Sequence, residues 1–286
     1  LRKAEFSLNL FADNFDFIDV KNFVPSFDLL VGKLFVDLKV SGKLNDFYVN
    51  QLKLGYLLTD ININGNVKNL IDIDKLSFDA NITNSIIKET DIVSLLPTTK
   101  IPAYENLSLE KLDVKYVGDL NKFNVQLKSN VNKGFIDLNT TLDFTKPSLV
   151  YSLQFRTENL NIEPFANIST GLNLNGNIQG SGTDIDNLFT SVMIKSDNKN
   201  FINGFEIDSL DFFVTASDKK IKSILSGYLN GTGLLFDGEV DFANKIVPTY
   251  FLSGNVNNFD VSKFELDSLS QLSSNVSLSF NVKGKS

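Results

Sequence analysis

The sequence predicts an all-β chain: a long, antiparallel-rich sheet of repeating strands with a few short helices. Three observations carry this. Apolar and polar residues alternate in segment after segment from about residue 31 to the end, Gly, Asn and Asp punctuate the segments at short intervals, and Phe supplies 25 of 286 residues while Trp is absent. Alternation puts one set of side chains on one face of a strand. Phe and the β-branched residues favour strands, and Asn and Asp suit turns and solvated faces.

Taken in order, the first apolar set is Leu34, Val36, Leu38 and Val40. Ile61, Ile63 and Val67 follow, interleaved with Asp60, Asn62, Asn64 and Asn66. Next come Val125, Leu127 and Val131; Ile136, Leu138, Leu142 and Phe144; Leu149, Tyr151, Leu153 and Phe155; and Leu172, Leu174 and Ile178. Val276, Leu278, Phe280 and Val282 form the last set, between Ser277, Ser279, Asn281 and Lys283. Turns are expected at Ser41-Gly42, Asn64-Gly65-Asn66, Gly118-Asp119, Ser181 to Asp184, Asn203-Gly204, Asn230 to Gly233 and Asp237-Gly238. Roughly twenty strands fit, most of them paired as hairpins or meanders. Three stretches break the alternation and read as short helices: Thr90–Leu96 before Pro97, Asn161–Ile168 with Pro164 in its first turn, and Asp260–Leu269 behind an N-capping aspartate.

Part of the pattern repeats. The run Leu142-Asp143-Phe144, Tyr151, Phe165, Gly180 matches Val240-Asp241-Phe242, Tyr250, Phe264, Gly284 in order, at a period of roughly a hundred residues. Repeat-like units are expected at about 32–133, 134–231 and 232–286, the last incomplete, within one continuous body undivided by any Pro/Gly/Ser-rich linker. The strand at Val276 is then expected to expose an edge that a longer chain pairs.

Composition narrows the function classes. The net charge is −7 and the 27 Lys and Arg residues are scattered, so the basic stripe that nucleic acid demands is missing. With no Cys there is no disulfide or thiolate site, and with no His no Ser-His-Asp triad. Asp72 with Asp74, and Asp184 with Asp186, place paired carboxylates at glycosidase-like spacing, but beside turns, where solvated acids are ordinary. A calcium loop starting at Asp184 fails, because Phe189 and Lys195 stand where glycine and glutamate are needed. Gly180-Ser-Gly182 and Gly231-Thr-Gly233 lack the third glycine and long helix of a phosphate loop. The expectation is a protein without catalytic residues, metal or cofactor. What remains is the apolar face, which must pack on itself or hold an apolar ligand.

Four phrases resemble the TamB branch of the AsmA-like proteins of Gram-negative bacteria, in their Bacteroidota form. They are Gly65-Asn-Val-Lys-Asn-Leu70, Thr90-Asp-Ile-Val-Ser-Leu-Leu-Pro97, Val117-Gly-Asp-Leu-Asn-Lys-Phe123 and Asn177-Ile-Gln-Gly-Ser-Gly-Thr-Asp-Ile-Asp-Asn-Leu188. The resemblance implies a middle segment of a longer protein: a curled sheet, taco-like in section, spanning the periplasm and anchored to the inner membrane through a segment not present here. It further implies an apolar groove conducting phospholipid acyl chains between the membranes, an outer-membrane barrel partner of the TamA/BamA type reached through other regions, and a linked role in outer-membrane protein assembly. The groove residues expected on this reading are Leu34, Val36, Leu38, Val40, Ile61, Ile63, Ile136, Leu138, Leu142, Phe144, Tyr151, Leu153, Phe155, Leu172, Leu174, Ile178, Val276, Leu278 and Phe280. The alternative is a structural or adhesive cell-surface β-repeat whose apolar face is fully packed.

Overall fold

Alternation of this length can only form sheet, and the computed structural model, which describes residues 4–16, 18, 30–96, 107–196, 198–259 and 276–285, is built almost wholly of it. The first eight strands are β1 (Glu5–Asp16), β2 (Lys33–Lys43), β3 (Asp46–Tyr56), β4 (Thr59–Lys68), β5 (Ser77–Lys88), β6 (Ser108–Asp119), β7 (Lys122–Val131) and β8 (Gly134–Asp143). They are followed by β9 (Val150–Glu158), β10 (Thr170–Gly171), β11 (Leu174–Ser181), β12 (Phe189–Ser196) and β13 (Asn200–Ile202). The last are β14 (Phe205–Ser217), β15 (Lys220–Leu229), β16 (Thr232–Asp241), β17 (Thr249–Phe259) and β18 (Val276–Lys285). Two short helices interrupt them, α1 (Glu89–Leu95) and α2 (Glu163–Ala166). All eighteen strands belong to one antiparallel sheet that is not closed, as the fold-class expectation has it.

The chain divides into two units, Leu1–Asn139 with Pro164–Asn167, and Thr140–Glu163 with Ile168–Ser286. In the first, β1 to β7 pair successively as an antiparallel meander. In the second, β11 lies between β9 and β12, β14 takes β12 and the short β13 along its length, and β14 to β18 continue as a meander. The matched phrases of the repeat take equivalent places here: Tyr151 of β9 faces Gly180 of β11, and Tyr250 of β17 faces Gly284 of β18.

Several expected turns are strand instead. Gly42, Gly65 and Gly238 lie inside β2, β4 and β16. Gly65 is there because the neighbouring strand passes too close for a side chain: a Cβ would sit 2.4 Å from the Asp79 carbonyl oxygen. Asn203-Gly204 and Asn230-Gly231 do form turns, while others are made by Leu44-Asn45, Leu57-Leu58, Asn132-Lys133 and Asp218-Lys219.

Of the expected helices, the first forms as α1 and the second shrinks to the single turn of α2. There Asn161 captures the flanking backbone, its carbonyl oxygen accepting from Glu163 N (3.0 Å) and Thr170 N (3.1 Å). The third, at 260–269, lies outside the described residues. Asp91 does not cap its own helix. It is buried, and one carboxylate oxygen accepts from Leu58 N and from Thr59 Oγ1, both at 2.9 Å, which fastens α1 to the β3–β4 turn. Lys88 N donates to the same Thr59 hydroxyl at 3.1 Å.

Asp91→Ala removes both acceptor contacts and leaves the buried Thr59 hydroxyl and the part-buried Leu58 amide without this partner, so it should cost about 2 kcal/mol. The check is the urea midpoint, with hydrogen exchange at the Leu58 amide rising in step. An unchanged midpoint would mean that α1 is held by other contacts.

Candidate functional site

Residues directly opposite each other on neighbouring strands point to the same face, so the strand register traces each face across a sheet. In the first unit one row runs Leu10, Leu38, Leu52, Ile63, Ile82, Val114, Leu127 across seven consecutive strands. The row beside it runs Leu8, Val40, Val49, Gly65, Ala80, Tyr116, Val125, and the next Phe6, Gly42, Phe47, Val67, Phe78, Gly118, Phe123. On its other side lie Ala12, Val36, Leu54 and Ile61. Leu34 faces Phe15. On β8, Asp137 pairs with Lys128 (2.9 Å) and Asn139 with Asn124 (2.8 Å) on the polar side, which leaves Ile136 and Leu138 on the apolar one.

The second unit is built the same way. One row runs Phe155, Gly176, Ile194, Phe212, Leu225, Phe236, Gly254, Phe280, and the next Leu153, Ile178, Val192, Val214, Ser223, Gly238, Leu252, Val282. A third runs Tyr151, Gly180, Thr190, Ala216, Ile221, Val240, Tyr250, Gly284. Leu278 and Val276 extend the face on β18, opposite Val256 and Phe259. Glycines here make room for rings: a Cβ on Gly254 would lie 2.6 Å from Phe280 Cζ and 2.7 Å from Phe236 Cδ1, and one on Gly176 would overlap Phe155. The rings of Phe236 and Phe280 lie over Gly254 with centroids 6.0 Å apart.

Nearly every expected groove residue therefore shares one face within its own unit. Three stand apart from the strand rows: Leu142 is half-buried near the end of β8, Leu172 is held by a bridge to Leu160 outside the named strands, and Phe144 lies beyond β8 and is exposed. Leu174 begins β11 opposite Ser196.

Many apolar-face residues escape a strict reading of alternation because bulges shift the phase. On β3 the apolar positions pass from Phe47 and Val49 to Leu52, Leu54 and Tyr56, with the slip at Asn50-Gln51. On β5 they pass from Phe78, Ala80 and Ile82 to Ser85 and Ile87, and on β6 from Leu109 to Leu112, Val114 and Tyr116. Each slip is legible only as two short alternating runs of opposite phase. Bulges of this kind keep the side-chain set on its face while bending the strand.

Two properties define the face chemically. No Asp, Glu, Lys or Arg occupies an apolar-face position in the strand registers of either unit. The one titratable type on it is tyrosine, and burial raises the Tyr116 phenol above its ordinary value while its hydroxyl donates to the Asp119 carbonyl at 2.7 Å. The face is also little buried by the described residues. Among the described residues only Val40, Leu76, Leu112, Val131 and Ala216 are buried apolar side chains, whereas Leu278 is 56% and Val276 50% exposed.

The opposite face and the loops carry the charges. Lys88 with Glu110, Lys128 with Asp137, Lys199 with Glu206 and Lys220 with Asp241 are ion pairs there. Glu110 is held below the usual carboxylate range by hydrogen bonds from Lys88 and Ser108. The two acidic pairs are not strand pairs: Asp72 precedes a 3₁₀ turn that contains Asp74, Asp72 being bound by Lys75 at 2.9 Å, and Asp184 and Asp186 lie in the β11–β12 loop. Lys245 of the β16–β17 loop binds both Asp184 and Asp186, and Lys219 reaches Asp186 at 3.3 Å. Lysine ammoniums thus occupy the space a metal or a substrate would need. Among the described residues no group of three or more acidic side chains gathers to hold a metal ion.

The hydrogen bond from Lys245, reinforced by Lys219, holds the Asp186 carboxyl below its ordinary value. A carboxylate depressed in the folded state adds stability above its unfolded pKa of about 3.9 and loses it as pH falls through the folded value. Asp186→Asn should therefore lower stability at neutral pH and flatten the fall in stability below about pH 4, the two proteins converging in acid. Urea titrations across that range check it, and parallel curves for the two proteins would refute the linkage.

No family model, no curated protein and no solved structure matches this chain.

Proposed function

We propose that this chain is a segment of a bridge-like lipid transfer protein, its apolar face a path for phospholipid acyl chains, in keeping with its resemblance to the TamB branch. The observation that carries the reading is an apolar face that is uncharged across every strand register and on which few of the described apolar side chains are buried. Burying a methylene is worth about 0.8 kcal/mol, so exposing two sixteen-carbon chains to water costs on the order of 20 kcal/mol. A surface that keeps the chains covered at every step removes that barrier without any catalytic group. Rows of Leu, Ile, Val and Phe repeated every strand offer equivalent resting places, which favours sliding over tight capture at one site. The headgroup stays at the margin, in water.

On this reading the protein works in the periplasm of a Gram-negative bacterium, with membrane anchoring and an outer-membrane barrel partner supplied by other parts of the protein. A role in outer-membrane protein assembly follows from the same resemblance. The packed, adhesive alternative is disfavoured by the small number of apolar side chains buried within either unit.

Native mass spectrometry of the purified chain should show copurifying phospholipid. Ile63→Arg, in the middle of the first unit's row from Leu10 to Leu127, should abolish that lipid while circular dichroism remains that of the wild type, and Leu174→Arg should act alike in the second unit. Lipid retained at wild-type level by a folded Ile63→Arg protein would sink the proposal.

A further inference from the structure

The β3–β4 turn is made of the wrong residues for its geometry. It is a two-residue turn, Leu57-Leu58, closed by the Tyr56 and Thr59 pair, and Leu57 sits at φ 54°. That left-handed region crowds an L side chain, and tight hairpins fill it with Gly, Asn or Asp. Where other two-residue turns open in this region, the rule is kept: Asn132, Asn203, Asp218 and Asn230 stand there at φ 47–52°. Among the twelve described non-glycine residues at positive φ, Leu57 alone is apolar.

Burial does not explain the exception. Leu57 is 73% and Leu58 70% exposed, so neither side chain gains from packing against the protein. Nor is the turn loose. The Asp91 carboxylate takes the Leu58 amide and the Thr59 hydroxyl at 2.9 Å each, and the Tyr56 hydroxyl lies 3.2 Å from Ser94 Oγ on α1. The same phenol reaches the carbonyl of Val31, itself half exposed. A buried carboxylate and a helix thus hold two leucines out in water, in a backbone conformation that penalises one of them. Strain kept in place by surrounding structure points to use.

We infer that the Leu57-Leu58 tip is a wedge that enters the hydrocarbon of a lipid surface. The tip is convex and offers two aliphatic side chains. A protein partner needs about 1,000 Å² of contact and anchors on Tyr, Trp or Arg, which the turn itself lacks. A fluid hydrocarbon layer accepts an isolated pair of leucines, because each buried methylene contributes independently of shape. The turn carries no Lys or Arg, so the attraction is apolar and indifferent to headgroup charge. This stands apart from the conduit: a tip of this kind brings the chain to a membrane whether or not the apolar face conducts.

The absence of tryptophan supplies the test. Leu58→Trp in the full chain gives a single tryptophan, whose emission, excited selectively beyond the tyrosine absorption band, should shift to the blue on adding neutral phosphatidylcholine vesicles, in low and high salt alike. Lys133→Trp, in the β7–β8 turn that Asn132 opens, should not shift. In flotation with the same vesicles, Leu57→Asn combined with Leu58→Ser should bind on the order of a hundredfold more weakly than wild type. Because those residues suit the turn, its thermal midpoint should equal or exceed that of the wild type. Equal shifts at both reporters, no shift at Leu58→Trp, binding that disappears in high salt, or undiminished flotation of the double variant would each overturn the assignment. Copurified lipid is read separately, so failure of the wedge and failure of the conduit give different results.

Discussion

The structure depends on strand register. In an antiparallel sheet a slip of one residue sends every later side chain of a strand to the other face, so an uncharged face across many strands requires each phase error to be corrected. β3, β5 and β6 each contain such a correction, and in each the polar residues of the bulge, Asn50-Gln51, Thr83-Asn84 and Glu110-Lys111, absorb the extra length. Without them Leu52, Leu54, Val114 and Tyr116 turn outward and Lys53, Asp113 and Lys115 turn inward, placing charges in the middle of the first unit's apolar rows.

The same constraint accounts for the glycines. Where Phe155, Phe236 or Phe280 lies on the face, a glycine stands opposite on the next strand, and its missing side chain lets the ring settle against backbone. Glycine inside a strand weakens it, and an aromatic neighbour across the ladder offsets the loss by covering the exposed backbone. The pairing also keeps large rings low. A face that mixes Phe with Gly presents a more even surface than one of medium side chains throughout, which suits an occupant without fixed shape.

How much of this was legible in the sequence follows from the same physics. Strands with unbroken alternation, such as β2, β4, β9 and β18, are readable, and Val36, Leu38, Ile61, Ile63, Leu153 and Phe280 fall where the pattern puts them. Bulged strands are not, because a phase shift in the middle of β3 or β5 looks like the loss of a pattern. Glycine misled in the other direction. Gly65 and Gly238 read as turns but serve close strand contacts, a distinction set by the neighbouring strand rather than by flanking residues. The turn at Leu57-Leu58 had no turn chemistry to find, and nothing local marks Asp91 as the anchor of α1, because its partners lie 32 and 33 residues away.

Charge placement then separates the functions of the two faces. Ion pairs on the polar face are exposed, and pairs of that kind contribute little to stability. Their consequence is positional: Lys128 with Asp137, Lys195 with Asp211 and Lys222 with Glu239 match opposite charges across neighbouring strands, which favours these strands as neighbours. Opposite charges are matched on one side of the sheet, and on the other side no Asp, Glu, Lys or Arg enters the strand registers of either unit, its polar groups being the hydroxyls and amides of residues such as Tyr116, Thr190, Ser223 and Asn200.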